Sequence, residues 1–271
     1  MHCINPFGMA RRYRTNQNNV DLNRNFIKNF SSMVDSNIDY SLIDPFINPK
    51  TSVRSKVMTS PRFIFNTIIL LSILGAERIR EASLKGQYFD QNGISFGGKE
   101  LQLETQCIMK LVDEWLPEFK KTLHLDIHTG YGPRYEMTLV QSSSEPMSSD
   151  QARSKYKLPR IAKTTPDEFY TIQGEMTDCF YQKGTQTRRP VYSAAFEFGT
   201  YGEGIINEAR SLTTTIAANQ LLFHGNSTTN DQWVTKDYLE LYFPSKSKWL
   251  SCAISNGRKA FHSKLSTEGF T

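Results

Sequence analysis

Apolar positions outline this chain. Phe65, Ile68, Ile69, Ile73, Ala76 and Ile79 fall three and four residues apart, which predicts a long helix over 61–84. Ile108, Leu111, Val112 and Leu116 give 103–120 the same amphipathic spacing, and further helices are expected around 167–182, 204–222 and 246–264. Alternation at period two in Leu123-His124-Leu125-Asp126-Ile127-His128 predicts a strand that ends at Thr129-Gly130-Tyr131-Gly132. Strands are also expected over 134–141 and 190–198, and Met1 to Pro6 reads as the end of a strand entering a turn. Asp44-Pro45 and Asn48-Pro49 punctuate 27–60 as a loop with short helical pieces, and Gly93, Gly97 and Gly98 mark a second turn-rich stretch. Helix alternates with strand, with no internal repeat and no compositional break. That pattern predicts a single domain over 1–271, an α/β sandwich on a mixed, mostly parallel sheet.

Composition narrows the class without naming a chemistry. Of 271 residues, 38% are hydrophobic and 22% charged, which describes a globular chain able to bury a sizeable core without disulfides. The formal charge of +5 is mild and scattered, so no nucleic-acid partner is expected. Cys3, Cys107, Cys179 and Cys252 lie far apart with no Cys-x-x-Cys pair, as reduced structural thiols do. The most apolar run, Phe63 to Ala76, is broken by Asn66, Thr67 and Ser72 and is too short to span a bilayer, so it reads as a buried core helix. With no membrane span and no visible signal peptide, the default compartment is cytoplasmic.

Three segments carry candidate chemistry. In Ala194-Ala195-Phe196-Glu197-Phe198-Gly199, a carboxylate stands inside an apolar strand, where a charge is costly unless it is paired or used. The bland alternative is a glutamate at an exposed strand end. Strand periodicity puts His124, Asp126 and His128 on one face, with His128 where the strand gives way to a glycine turn. Ligands gather at the carboxyl ends of strands in open sheets, so His128 is placed as a ligand and Asp126 as the group that orients it. His124, deeper in the strand, reads as a satisfied core histidine. The third segment packs Asn16, Asn18, Asn19, Asn23, Arg24 and Asn25 behind Arg14. A guanidinium fork suits a substrate carboxylate, although a polar turn-rich loop has the same composition.

In order, these segments resemble the zinc carboxypeptidase superfamily, and most of all its bacterial carboxypeptidase-like branch of unknown function. The resemblance rests on Asn5-Pro6-Phe7-Gly8, Arg14, Val20 to Phe26, Gly86-Gln87-Tyr88 with Gly97-Gly98, Asp126 to Gly130, and Glu197 to Gly202, and it covers about residues 2 to 225. It implies an α/β/α sandwich and hydrolysis of a C-terminal peptide or amide bond, in a peptide or an N-acyl amino acid, through a zinc-bound water. By the same resemblance His128 is the third zinc ligand and Glu197 the general base. Asn23 and Arg24 hold the substrate carboxylate, Arg14 stabilises the oxyanion, and Tyr201 or Tyr181 is the substrate-contacting tyrosine.

One departure counts against zinc. The superfamily draws its other two ligands from a His-x-x-Glu motif, but here the third residue after each histidine is Asn5, Ile127, Tyr131, Ser227 or Leu265. The motif is expected upstream of residue 1, with the first strands of the sheet, on the order of 70 residues by ordinary element lengths. Zinc is therefore not expected to be held tightly by this chain, and hydrolysis is expected to be impaired. The alternative is a non-catalytic binding protein that keeps a carboxylate-recognising pocket around Arg14 and Arg24.

Overall fold

The computed structural model describes residues 3–53, 61–225 and 232–271, with the side chains of 61–71 and 73 outside the description. Four strands, β1 (Thr122–Gly130), β2 (Met137–Gln141), β3 (Ile161–Lys163) and β4 (Val191–Gly199), form one sheet in the order β1-β4-β2-β3. β1 lies parallel to β4 and β3 parallel to β2, whereas β2 and β4 are antiparallel. The sheet is thus mixed and mostly parallel, as the sequence predicts. β4 occupies an interior position because nearly every residue of it is buried, and a strand covered on both faces reads as an almost unbroken apolar run. β1 stands at the edge, with no fully buried residue and with Ile127 exposed.

The helices are α1 (Pro6–Arg11), α2 (Ile38–Ile47), α3 (Pro61–Lys85), α4 (Leu103–Trp115), α5 (Ser149–Tyr156), α6 (Met176–Thr187), α7 (Ile205–His224), α8 (Gln232–Tyr242) and α9 (Ser247–Thr267). On one face of the sheet Leu139, Phe196 and Phe198 pack against Trp249 and Ala260 of α9 and Ala152 and Tyr156 of α5. On the other face Val191 meets Ile108 and Val112 of α4 and Met176 of α6. The loop residues Phe169 and Tyr170 cover Val140, Ala162 and Ala195 on that same face. Helices therefore flank both faces.

Several elements differ from their expected form. Residues 3–5 enter α1 rather than ending a strand: Asn5 Oδ1 accepts from the Gly8 amide at 2.8 Å and Pro6 opens the helix, while residues 1–2 lie outside the described residues. The long third helix is present but breaks at Gly75, whose φ of 76° no helix accommodates. Most of the burial expected of Phe63 to Ala76 falls on side chains outside the described residues. The helix expected over 167–182 begins only at Met176, because Gly174, at φ 67°, turns its carbonyl to the Phe26 amide. α5, β3 and α8 were not expected. Among the described residues, no helix is long and apolar enough to cross a membrane.

Candidate functional site

The parallel register of β1 and β4 sets His128 opposite Glu197, Asp126 opposite Ala195 and His124 opposite Ser193. All three pairs project from one face, and His128 and Glu197 occupy the carboxyl end, where strands hand over to loops. His128 Nε2 lies 2.6 Å from Asp126 Oδ2, and its Nδ1 lies 3.6 Å from Glu197 Oε2. The other oxygen of Glu197 accepts from the Tyr131 amide at 3.0 Å. Burial by itself would lower the pKa of His128. The Asp126 carboxylate, aided by Glu197, outweighs burial and lifts it to about 10. Asp126 in turn lies below the usual carboxylate range, because the adjacent imidazole outweighs its burial. His124 is a packed core residue: Nδ1 is 2.8 Å from Ser193 Oγ, the ring stacks on Phe180 at 3.9 Å, and burial takes its pKa down to about 4.

The Asn/Arg-rich segment forms the second half of the site. Asp21 is buried, and its Oδ2 receives Arg14 Nε at 2.9 Å and an Arg14 terminal nitrogen at 2.8 Å, with Arg24 at 3.9 Å. Burial would raise the pKa of Asp21, but the two arginines, Arg14 foremost, hold it below the usual range. The two arginines have different standing. Arg14 keeps 37% of its side chain exposed even while Asp21 and Tyr242 engage it, so it is the arginine within reach of solvent. Arg24 is 1% exposed, and it donates Nε and one terminal nitrogen to the Leu84 carbonyl and the other to that of Asn23. Asn23 spends its Oδ1 on the Met176 amide at the start of α6. The structure thus brings Arg24 and Asn23 to the site but occupies them in supporting it.

Tyr201 lies apart from this cluster. Its hydroxyl donates to the Asp237 carbonyl at 2.8 Å, and Arg210 sits over its ring at 3.9 Å. Tyr181 faces Glu145 and Asp178. The tyrosine among the charged groups is Tyr170, a buried phenol in the combined field of Glu197, Arg14, Arg24 and Asp21, whose pKa is pushed up by burial and then by Glu197. Tyr242 is a second residue that sequence reasoning missed. It hydrogen-bonds Arg14, and its carbonyl accepts from Thr129 Oγ1 at 2.7 Å, so the end of α8 closes over the end of β1. Tyr238 between them accepts from the Arg14 amide at 3.2 Å and stacks on Tyr13. Neither Tyr170 nor Tyr242 carries a local motif. A cavity of about 480 Å³ is lined in part by Tyr131, Thr138, Arg160 and Glu203; neither His128, Glu197 nor Arg14 lines it, and its link to the cluster is Thr138, opposite Glu197 across the β2–β4 ladder.

Chemically, the arrangement offers an exposed cation, a buried carboxylate and an imidazole. Because Asp126 engages Nε2, Nδ1 of His128 is the nitrogen presented to Glu197. A catalytic zinc takes three protein ligands. Among the described residues, no group of three His, Cys, Asp or Glu side chains is arranged to hold a metal ion. In comparisons with known proteins, residues 1–256 match one family, described as "Protein of unknown function (DUF2817)". No curated protein and no solved structure matches.

Proposed function

The chain belongs to the DUF2817 family, and from the geometry of its site we propose that it is a carboxypeptidase-type hydrolytic domain of the zinc carboxypeptidase superfamily. The observation that carries this reading is the in-register pair on β1 and β4, with Glu197 facing His128 Nδ1 while Asp126 holds Nε2. Glu197 is the general base: it is buried, aimed by the Tyr131 amide, and in the field of the Tyr170 phenol. Arg14 meets the anionic part of the substrate, a C-terminal carboxylate of a peptide or N-acyl amino acid. Arg24 acts through Asp21 and is a positioning residue. No step is assigned to zinc, since the described residues supply one of its three ligands.

That shortfall favours a second reading, in which the pocket binds C-terminal carboxylates without cleaving them. One experiment separates the two. The chain is incubated with an N-acyl dipeptide, and binding, amino-acid release and zinc content are measured together. Hydrolysis is expected to fall by about 10²–10⁴-fold in Glu197→Gln with binding retained, and binding is expected to weaken in Arg14→Ala. Binding without release in the wild type establishes the second reading. Absence of both overturns the proposal.

A further inference from the structure

α3 resumes after its break at Gly75, and its remaining turns give hydrogen-bond partners to separate parts of the candidate site. Arg80 donates one terminal nitrogen to the Tyr131 hydroxyl at 2.8 Å and the other to the Pro166 carbonyl at 3.5 Å. Glu81, the next residue, takes the Thr171 amide with both carboxylate oxygens, at 3.0 and 3.2 Å. One turn on, the Leu84 carbonyl receives Arg24, and the Lys85 carbonyl receives the Gln173 amide at 3.1 Å. Residues 80–85 thus hold the turn after β1, both ends of the segment that carries Phe169 and Tyr170, and the guanidinium of Arg24.

The first of these contacts bears on Glu197. Tyr131 is the residue whose amide donates to Glu197 Oε1 at 3.0 Å, and it stands between Gly130, at φ 141°, and Gly132, at φ 103°. Glycine adopts such angles without steric cost, so the flanking backbone does little to fix where that amide points. The Gly130 carbonyl is held by the Thr200 hydroxyl at 3.0 Å, and the side chain of Tyr131 is the other constraint. Its ring meets Phe169 edge-on with centroids 4.9 Å apart, and Tyr170 likewise at 5.3 Å. Apolar packing is non-directional, whereas a hydrogen bond at the phenol end fixes the direction of the side chain. A guanidinium suits this task because its terminal nitrogens lie in one rigid plane, which sets the Tyr131 hydroxyl and the Pro166 carbonyl at a fixed separation. Burial raises the pKa of the phenol, so it stays a neutral hydroxyl whose oxygen accepts from Arg80.

We propose that Arg80 is a positioning residue for Glu197: it anchors the Tyr131 side chain and thereby aims the Tyr131 amide at the carboxylate. Its effect on turnover rests on the reading of Glu197 as the general base; the anchoring itself does not. A base displaced by about 1 Å costs up to about a hundredfold in rate. Because the displaced group acts in the transition state, the loss falls on kcat and leaves KM nearly unchanged.

The test compares the wild-type chain with Arg80→Met, which keeps the stem and removes the donors, and Tyr131→Phe, which keeps the ring and removes the acceptor. Arg78→Met is the control, since Arg78 lies on the same helix and pairs with Asp39. Hydrogen exchange of the Tyr131 amide is measured by NMR, beside steady-state release of amino acid from an N-acyl dipeptide. Arg80→Met and Tyr131→Phe are each expected to speed exchange of that amide by about tenfold or more while the amides of β4 keep their rates. Each should also lower kcat by about 10- to 100-fold, with KM within about twofold of the wild type. The double variant should be no worse than either single one, because both break the same contact. The control should match the wild type throughout. Unchanged exchange of the Tyr131 amide in Arg80→Met overturns the proposal. So does a loss of activity carried by KM, or losses that add in the double variant, because Arg80 would then act by another route. A wild type that releases no amino acid, with exchange still faster in both variants, sustains the anchoring and removes the hydrolytic reading of Glu197 instead.

Discussion

Glu175 precedes α6 with its carboxyl almost wholly enclosed, accepting from Thr164 Oγ1 at 3.0 Å. Burial raises its pKa from 4.5 to about 7, and the threonine hydroxyls and the distant charge of Arg24 only partly oppose it. Arg24 gives little relief because its donors are turned to the Leu84 and Asn23 carbonyls. Since the folded pKa lies above the unfolded value, the native state binds the extra proton between them. The associated stability is complete below 4.5 and is lost as pH rises through 7. At about 1.4 kcal/mol per pKa unit the swing is about 3 kcal/mol. Glu175→Gln keeps the shape and removes the titration, so its urea-unfolding free energy should match the wild type near pH 4.5 and exceed it by about that amount well above pH 7. Identical pH slopes for the two proteins would show that Glu175 is not the group responsible.

At the scale of elements, the two strands that make the site were legible because their side chains follow rules of local spacing. Leu-His-Leu-Asp-Ile-His alternates as a half-covered strand must, and Ala-Ala-Phe-Glu-Phe reads as one buried on both faces. β3 was not legible: it is three residues long and exists because Leu139 takes the Arg160 carbonyl, a contact 21 residues distant in sequence. Tyr170 was missed for a related reason, since it lies in the irregular stretch ahead of Gly174 where no periodicity operates. The arginines show the limit differently. Composition marks Arg14 and Arg24 alike, and only tertiary structure tells that the Leu84 carbonyl consumes one of them. Gly199 links the strands to their loop. A Cβ there would stand 2.1 Å from the Pro133 carbonyl oxygen and 2.4 Å from that of Gly132, both backbone atoms that cannot swing aside. Gly199→Ala should therefore push the end of β4 away from the 130–133 turn, whose Tyr131 amide aims Glu197. A loss of about 3 kcal/mol or more in chemical denaturation is expected, together with loss of N-acyl dipeptide binding. A variant as stable as the wild type would mean that the turn has room the packing denies.

For the whole molecule, the end of α9 matters most, because it ties the C-terminal helix to both α5 and the entry of β1. Glu268 receives Lys155 Nζ at 2.8 Å and the Tyr156 hydroxyl, while its carbonyl accepts Lys121 Nζ at 2.8 Å, one residue before β1. Lys264 lies buried beneath them, its Nζ 3.9 Å from the centre of the Tyr156 ring. Burial lowers its pKa from 10.5 to about 8, against the pull of Glu268. The native state therefore carries this lysine at a penalty below pH 8, and stability should rise between pH 8 and 10.5 as the folded protein sheds the proton first. Lys264→Met fills the same space without the charge and should stabilise the protein at neutral pH by about 2 kcal/mol. Glu268→Gln should do the reverse by about 2–4 kcal/mol, since it leaves Lys155 and Lys264 as neighbouring cations with only the weaker field of Glu145 to offset them. The two substitutions must then couple. In the Glu268→Gln background, Lys264→Met should recover more than it gains in the wild type, by about 1 kcal/mol or more in a double-mutant cycle. Strict additivity would place Lys264 outside the field of Glu268 and leave the closure of α9 to Trp249, Ala253 and Ala260.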